Sequence, residues 1–345
     1  MLYKHIVKPL IFKKDAEEAH ELGLKIASAT HTSNFLQELS TFFYGGGKEY
    51  TQTFWGLDFK NPIGLAAGFD KNGTTPKAMQ ALGFGFVEIG SITAKPALGN
   101  PKPRAFRLPK DRSLINRMGL NNEGSDLITE RLKNIDLTIP LGVNIAKTND
   151  PNIHGNDAIE DYLYSYKKAQ TVADYITVNI SCPNTGEGKT FEDPTALRNL
   201  LQGLDTANSK TPTLVKFSVD TDQRTLTELV DICEKFEISG YVATNTSSHK
   251  KDLQTSDSIL ENIGNGGLSG AAIASKSDNV ISWLYEILEG SKPIIGVGGI
   301  DSIESAQRKV DLGANLLQIY TGLIYEGPGL VKRLKNGIKF QYLSS

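Results

Sequence analysis

The sequence Asn179-Ile180-Ser181-Cys182-Pro183-Asn184-Thr185 directly follows an apolar run, residues 173–178, that has the composition of a buried strand. Pro183 cannot continue a sheet ladder, so the strand must end before it, and glycines at 186 and 188 allow a loop beyond. A thiol flanked by carboxamides suits an enzyme that places a base beside a planar substrate. A small buried cysteine before a turn would have the same local sequence.

Seven further runs have the same strand-like composition, and the full set recurs in a regular order. The eight runs cover residues 64–68, 86–91, 141–146, 175–181, 214–218, 241–245, 294–299 and 316–320. Helix-patterned segments lie between most of them, for example residues 158–171, 195–206 and 302–312. Eight β-α units over about 270 residues predict an α/β fold of the (β/α)8, or TIM-barrel, type, typically about 250 residues long. A doubly wound sheet is the alternative, but it does not require eight consecutive parallel strands.

The N-terminal residues have a different pattern. Residues 1–14 contain no acid and four lysines among apolar residues, which suits an anionic lipid surface. Asp15 and Glu18 predict the start of a helix, a second helix is expected over residues 34–43, and the glycines at 45–47 predict a linker. We therefore divide the chain into a small helical extension, residues 1–46, and a barrel, residues 47–345. Helices that merely cap the barrel would have the same composition.

Composition restricts the classes of function. A hydrophobic content of 39% and a charged content of 22% predict a globular protein with an ample core. The net charge of -2 gives no reason to expect a nucleic-acid partner. The two cysteines, Cys182 and Cys233, predict no disulfide framework and fit a reducing compartment. No apolar run approaches the roughly 18 residues that span a bilayer, and we identify no signal peptide.

Polar residues follow the predicted strands at the end where such barrels carry their active sites. Along the chain they are Asp70, Lys71, Asn72, Ser91, Asn144, Lys147, Asn179, Cys182, Lys216, Thr244, Asn245 and Thr246. Glycine turns at 298–299 and 322 occupy the usual phosphate position after strands seven and eight. Five asparagines suit a ring of alternating C=O and N–H groups, as in a pyrimidine or a flavin, although turn geometry alone accounts for one or two of them. These are Asn116, Asn144, Asn179, Asn184 and Asn245.

Five motifs occur in order along the chain. They are Ala66-Ala67-Gly68-Phe69-Asp70-Lys71-Asn72-Gly73, Asn116-Arg117-Met118-Gly119-Leu120-Asn121-Asn122, the stretch 179–185, Gly266-Gly267-Leu268-Ser269-Gly270 and Gly296-Val297-Gly298-Gly299-Ile300. Through them the chain resembles, over essentially its whole length, the dihydroorotate dehydrogenases. The helices before the barrel resemble the membrane-associated, quinone-using class (class 2) of that family. On fold alone, a phosphate-binding barrel lyase with Lys216 as Schiff-base amine is an alternative.

The resemblance implies FMN as cofactor and no metal, with oxidation of (S)-dihydroorotate to orotate in pyrimidine synthesis. Cys182 would remove the C5 proton while a hydride passes from C6 to flavin N5. The implied FMN contacts are Ala67, Gly68, Phe69, Asp70, Lys71, Ser91, Asn144, Asn179, Lys216, Thr244, Gly270, Gly299, Tyr320 and Thr321. The implied substrate contacts are Lys71, Asn116, Arg117, Met118, Gly119, Leu120, Asn179, Asn184, Asn245 and Thr246.

One position departs from the family pattern. The quinone-using class usually has serine as base, whereas the soluble fumarate- or NAD-linked classes have cysteine, as here at Cys182. We expect the class to follow the extension and the electrons to pass to a membrane quinone; the alternative within the family is a soluble fumarate-linked enzyme. The resemblance implies a quinone tunnel at His20, Arg107 and Tyr320, although His20 alone has the pattern of a helix-surface histidine. We expect a monomer, bound peripherally to anionic lipid on the cytoplasmic side of the cell membrane.

Overall fold

A computed structural model describes residues 3–181 and 190–339. The strands are β1 (Gln52–Phe54), β2 (Leu57–Phe59), β3 (Ile63–Leu65), β4 (Phe86–Ile92), β5 (Ala105–Leu108), β6 (Ser113–Asn116), β7 (Leu141–Ile145), β8 (Tyr175–Asn179), β9 (Thr213–Phe217), β10 (Gly240–Ala243), β11 (Gly267–Gly270), β12 (Ile294–Val297) and β13 (Leu316–Ile319). The helices are α1 (Lys8–Ile11), α2 (Ala16–Thr32), α3 (Asn34–Ser40), α4 (Pro76–Ala81), α5 (Ser125–Leu132), α6 (Gly155–Ala169), α7 (Pro194–Leu204), α8 (Gln223–Lys235), α9 (Asp257–Ile263), α10 (Ala274–Leu288), α11 (Ile303–Asp311), α12 (Thr321–Glu326) and α13 (Leu330–Gly337).

Eight parallel strands close into a barrel, which confirms the predicted fold. Their order around the barrel is β3, β4, β7, β8, β9, β10, β12 and β13, and β13 pairs with β3 to close it. Every residue of β7, β8 and β9 is buried, as expected for strands covered by helices outside and by packed side chains inside. Each of the eight predicted runs overlaps one barrel strand.

A small antiparallel sheet accompanies the barrel. It consists of β5 and β6, from the insertion between β4 and β7, together with β11 from the segment after β10. In this sheet Asn116 is paired with Gly267, and Ser113 is paired with Gly270. The insertion and the later glycine motif are therefore held against each other, although they are far apart in sequence.

Helices α1–α3 form the N-terminal extension. Helix α2 begins where the Asp15 carboxylate accepts hydrogen bonds from the backbone N–H groups of Glu17 and Glu18. After α3 the chain continues as a π-helical turn, Thr41–Gly45, so the helical segment runs past the predicted end at residue 43. Within residues 3–181 and 190–339, no helix is both long and apolar enough to cross a membrane.

The predicted linker at residues 45–47 is fixed to the barrel. The Lys335 ammonium group donates to the carbonyl oxygen of Gly45 at 3.1 Å, and the Lys48 N–H donates to Asn336 Oδ1 at 3.1 Å. Gly45 itself belongs to the π-helical turn. The glycines therefore join the extension to α13 through hydrogen bonds instead of separating the two as a free hinge.

Candidate functional site

One cavity of about 600 Å³ joins the extension to the ends of the barrel strands. Side chains of α1 and α2 form one part of its wall, including Ile11, Ala19 and Ile26. The other part consists of residues at the C-terminal ends of the barrel strands and of residues from the small antiparallel sheet. A ligand at the barrel mouth and a second ligand between the helices would therefore share a continuous space.

A hydrogen-bonded series of amides lies at the barrel mouth. Asn245 Nδ2 donates to Asn179 Oδ1 at 3.1 Å, and Asn179 Nδ2 donates to Ser91 Oγ at 3.1 Å. Ser91 Oγ in turn donates to Asn144 Oδ1. These residues stand on β4, β7 and β8 and just after β10, so the barrel closure brings them together. The series gives the mouth a fixed pattern of donors and acceptors that suits a planar heterocycle.

Two lysines place positive charge at the same mouth. Lys216, on β9, is buried and is paired in the barrel register with Asn179. The Lys71 ammonium group donates to the carbonyl oxygen of Gly68 at 2.8 Å. Burial, together with the nearby positive charge of Arg104, lowers the pKa of Lys71 to about 8, and the carboxylates of Glu17 and Asp70 oppose this shift. Both lysines line the cavity, so an anionic group there would meet cations.

His20 of α2 lies inside the cavity wall. Its Nε2 is 3.0 Å from the carbonyl oxygen of Phe69, which makes Nε2 the protonated nitrogen. The imidazole packs edge-on against the ring of Phe69 at 5.0 Å between centroids and lies 6.0 Å from the ring of Tyr320. Burial and the charge of Lys71 lower the pKa of His20 to about 3. The His20 side chain is therefore neutral and half-buried, and it lines the cavity instead of lying on the outer surface of α2.

A buried ion pair joins the extension to the insertion. Arg104 Nε and Nη2 donate to the Glu17 carboxylate at 2.8–3.2 Å, and both side chains are under 10% exposed. Arg104 Nη1 also donates to the carbonyl oxygens of Leu98 and Asn100. The hydrogen bonds from Arg104 hold the pKa of Glu17 below its ordinary value although its burial acts in the opposite direction. Glu17 lines the cavity, so this pair is part of the site as well as an anchor.

Arg107 makes the second polar connection to the extension. Its guanidinium group donates to the carbonyl oxygens of Ile11, at 3.4 Å, and of Lys14. It also lies over the ring of Phe12, with 4.7 Å from Cζ to the ring centroid. These carbonyls are near the C-terminal end of α1, where a cation is favoured by the unpaired carbonyl groups. Arg107 therefore fixes α1 against β5 of the small antiparallel sheet while lining the cavity.

Glycines border the cavity at the ends of β11, β12 and β13. Gly270 and Gly299 have φ angles of +97° and +71°, which other residues rarely adopt. A Cβ atom on Gly270 would lie 2.6 Å from the carbonyl oxygen of Arg112, and one on Gly299 would overlap Ala274. The neighbouring helix α12 begins at Thr321, whose first N–H groups have no partner within the helix. Glycine backbone beside the first turn of a helix suits an anion.

The comparisons with known proteins agree with this architecture. Residues 50–341 match the family described as Dihydroorotate dehydrogenase. The chain belongs to the dihydroorotate dehydrogenase family. Two relatives named Dihydroorotate dehydrogenase (quinone) are from Natronomonas pharaonis, 39% identical over 96% of this chain and 93% of the relative, and Idiomarina loihiensis, 40% identical over 96% and 98%. The ligand-free DHODH structure from Eimeria tenella superposes with a TM-score of 0.83 at 31% identity, covering 94% of each chain. The prediction of an oxidoreductase of this family is confirmed.

Most residues that the resemblance to the dihydroorotate dehydrogenases implied line the one cavity. These are Ala67, Gly68, Phe69, Lys71, Ser91, Asn116, Met118, Gly119, Leu120, Asn179, Lys216, Thr244, Asn245, Thr246, Gly270, Gly299, Tyr320 and Thr321, with His20 and Arg107 from the quinone set. Cys182 and Asn184 lie outside the described residues. Their predicted roles stay predictions.

Three implied residues of the dihydroorotate dehydrogenase pattern are near the cavity without lining it. The Asp70 carboxylate accepts four hydrogen bonds from the backbone and hydroxyl groups of Thr74 and Thr75, ahead of α4. Asn144 is fully buried behind Ser91. Arg117 donates to the backbone of residues 103, 263 and 265, so its guanidinium group joins two loops. Of the three, Asn144 directly contacts a residue that lines the cavity, Ser91.

Sequence reasoning missed Glu17, Glu88 and Gln318. Glu17 and Gln318 line the cavity, and Glu88 accepts a hydrogen bond from Gln318. Glu88 and Gln318 did carry a signal, because a charged or amide side chain inside an apolar strand must find a polar partner in the core. Glu17 carried no such signal, since an acid in the first turn of a helix is ordinary.

Proposed function

We propose that this protein is a quinone-dependent dihydroorotate dehydrogenase that oxidises (S)-dihydroorotate to orotate in pyrimidine biosynthesis. FMN would be its cofactor and a membrane quinone its electron acceptor. The observation that carries the proposal is the single cavity, in which amides and lysines at the barrel mouth are continuous with an apolar space between α1 and α2. The names of the quinone-type relatives support the same assignment.

The residues at the barrel mouth fit FMN. Gln318 is fully buried and lines the cavity, and among the described residues its Oε1 has no hydrogen-bond partner. A buried acceptor without a donor is costly, so a ligand N–H or O–H group there would be favoured. Gly270, Gly299 and Thr321 would hold the phosphate, and Ser91, Asn179 and Thr244 would contact the ring system. Lys216, beside Asn179, would supply the positive charge that a flavin requires as it gains electrons.

The substrate would lie against the same amides. Lys71 would pair with its carboxylate, and Asn116, Asn179, Asn184 and Asn245 would satisfy its ring amides. FMN, when bound, supplies the hydride acceptor. Cys182 would take the C5 proton as its thiolate, which a thiol, with an ordinary pKa of about 8.5, forms far more easily than a serine hydroxyl forms an alkoxide. Holding substrate and base in fixed positions is the main contribution of the chain to the rate.

The extension, residues 1–46, would carry the quinone. His20, Arg107 and Tyr320 would line its path, with the neutral His20 imidazole close to the aromatic rings of Phe69 and Tyr320. Eight of the fourteen exposed large apolar side chains among the described residues belong to this extension: Ile6, Leu10, Leu22, Ile26, Phe35, Leu39, Phe42 and Phe43. With the lysines of residues 4–14, this surface suits peripheral binding to anionic lipid on the cytoplasmic side of the cell membrane. We propose a monomer.

The proposal is tested by the visible spectrum and the products of the purified protein. We expect a flavin absorption band, released FMN in a ratio of about one per chain, and orotate formed when dihydroorotate and a ubiquinone analogue are added. A colourless protein that binds no FMN when FMN is added, or a flavoprotein that dihydroorotate does not bleach under anaerobic conditions, would refute the proposal.

A further inference from the structure

A carboxylate lies in the interior of the barrel, next to the amide series at the mouth. Glu88 on β4 is 0% exposed. Its oxygens accept hydrogen bonds from Asn144 Nδ2 at 2.9 Å, Gln318 Nε2 at 2.7 Å, Thr177 Oγ1 at 3.1 Å and Tyr175 OH at 3.2 Å. Strands β8 and β13 are not neighbours of β4 in the barrel, so these contacts cross its interior. Oε1 accepts from Asn144, and Oε2 accepts from the other three donors.

This carboxylate determines the orientation of the amides around it. A carboxylate only accepts hydrogen bonds, so Asn144 and Gln318 must both turn their NH₂ groups toward Glu88 and their oxygens away. The phenol of Tyr175 is also held as a donor, because burial and the nearby charge of Glu88 raise its pKa well above the ordinary value. Each amide has one donor end and one acceptor end, so fixing one end fixes the other.

The orientation of Asn144 then decides how Ser91, its neighbour in the series at the mouth, is hydrogen-bonded. The Asn144 oxygen accepts from Ser91 Oγ, whose own oxygen accepts from Asn179 Nδ2. The Asn179 oxygen accepts from Asn245 Nδ2, and the Asn245 oxygen accepts from the N–H of Thr246. All side-chain donors in the series point along it toward Glu88. If Asn144 were reversed, its NH₂ group would face Ser91 Oγ, so the Ser91 hydroxyl would have to accept from it and turn its own hydrogen elsewhere. Asn179 and Asn245 would keep their orientations, because backbone groups of Ser181 and Thr246 also hold them.

Gln318, on the other side of Glu88, is oriented by the same carboxylate and reaches the cavity. Because its NH₂ group faces Glu88, its Oε1 faces away, and this is the buried oxygen that has no partner among the described residues. Gln318 lines the cavity, as do Ser91, Asn179 and Asn245. The hydrogen bonds of Glu88 with Asn144 and with Gln318 therefore both lead to side-chain groups that a ligand at the mouth would contact.

We propose that Glu88 is a positioning residue that sets the donor and acceptor pattern with which the barrel mouth recognises the ring of FMN. The inference rests on the proposed function, because it presumes FMN at the mouth. Glu88 acts through Asn144 and Gln318 and does not touch the ligand itself. The Glu88→Gln variant has the same shape, but one of its two terminal acceptor oxygens is replaced by an NH₂ group. It can therefore accept from Asn144 or from Gln318 in their present orientations but not from both, and the other amide must reverse.

The experiment is a titration of the FMN-free full-length protein with FMN, followed by flavin fluorescence. Wild type, Glu88→Gln, and the exchange variant Glu88→Gln/Gln318→Glu are compared, with Thr177→Val as matched control. Glu88→Gln should bind FMN about tenfold or more weakly, because a buried group at the mouth is left mispaired. In the exchange variant, the new amide at position 88 donates to the new carboxylate at position 318 and accepts from Asn144. The original orientation of Asn144 then returns, and affinity should recover to within about threefold of wild type.

Thr177→Val removes one neutral donor without reversing an amide, so its FMN affinity should stay within about threefold of wild type. The inference is overturned if Glu88→Gln binds FMN like wild type, or if the exchange variant melts like wild type and still binds as weakly as Glu88→Gln. If Glu88→Gln does not fold, the exchange variant alone tests the inference. An FMN affinity within about threefold of wild type then supports it, and an affinity weaker by about tenfold or more overturns it. A wild-type protein that does not bind FMN would refute the proposed function instead.

Discussion

The interior of the barrel and the N-terminal extension differ in which kinds of side chain they bury. In the barrel, the strands are almost entirely buried, and polar groups such as Glu88 are enclosed and hydrogen-bonded to several partners. In the described part of the extension only one side chain is buried, and it is the charged Glu17. Large apolar residues of the extension, such as Phe35 and Phe42, face outward instead, at 70% and 79% exposure.

The difference shows how the two regions are stabilised. Hydrophobic burial holds the barrel together, so its mouth can keep polar groups in fixed positions. The extension gains little from burial and is attached by specific polar contacts, including Glu17 with Arg104, His20 with the Phe69 carbonyl, and Arg107 with the end of α1. We therefore expect variants of the mouth to change the reaction with dihydroorotate, and variants of the extension to change docking and the reaction with quinone.

The largest effect is expected at the predicted base. Cys182→Ala should lower the rate of flavin bleaching by dihydroorotate by about 10²- to 10⁴-fold, because the C5 proton loses its acceptor. FMN content and orotate affinity should stay at the wild-type level. Cys182→Ser is the matched control: it should lose rate near neutral pH and recover at alkaline pH. Superimposable pH–rate profiles for wild type and Cys182→Ser would contradict the assigned role.

The next effect concerns the buried ion pair. Arg104→Met leaves the Glu17 carboxylate buried with Lys102, at 3.4 Å, as its remaining ion-pair partner, and should lower the free energy of unfolding by about 3 kcal/mol. Chemical denaturation measures this change, and protease cleavage in residues 1–46 should accelerate. The double variant Glu17→Gln/Arg104→Met should recover part of the loss, since no charge is left unpaired. A loss below about 0.5 kcal/mol in Arg104→Met would show that the pair does not hold the extension.

Lys71 predicts a pH dependence of ligand binding at the mouth. Its pKa is lowered to about 8, so the side chain is protonated below that pH and neutral above it. The orotate carboxylate favours the protonated form, so affinity should be full at pH 7 and about tenfold weaker at pH 9. Titration of the oxidised enzyme with orotate, followed by the flavin spectrum, measures it. Lys71→Arg should abolish this change in orotate affinity, because arginine stays charged. If orotate affinity still falls with pH in that variant as it does in wild type, a group other than Lys71 causes the pH dependence.

The smallest effect is expected at His20. Since its pKa is about 3, His20 stays neutral from pH 5 to 8, and the KM for a quinone analogue should not follow a histidine titration over that range. His20→Phe should raise this KM about fivefold through loss of one polar contact. The rate of flavin bleaching by dihydroorotate should not change. If that rate falls while the quinone KM is unaltered, His20 belongs to the mouth and not to the quinone path.

The sequence predicted the barrel well and the extension less well, for physical reasons. Buried parallel strands are continuous apolar runs, so all eight were found, with ends displaced by a few residues where the last residues leave the ladder, as at Asn245. The position of His20 in the cavity wall could not be predicted, because it depends on how α2 docks against Phe69 and Tyr320. The role of Glu88 was hidden for a similar reason, since its partners on β8 and β13 are 87 to 230 residues away.

The most direct test of the central claim is the choice of electron acceptor. The full-length protein is bleached anaerobically with dihydroorotate and then mixed with a ubiquinone analogue or with fumarate. We predict that the quinone restores the flavin band within seconds and that fumarate does not. Restoration by fumarate and not by quinone would contradict the account, place the protein with the soluble enzymes that share its cysteine, and leave the extension as a structural cap.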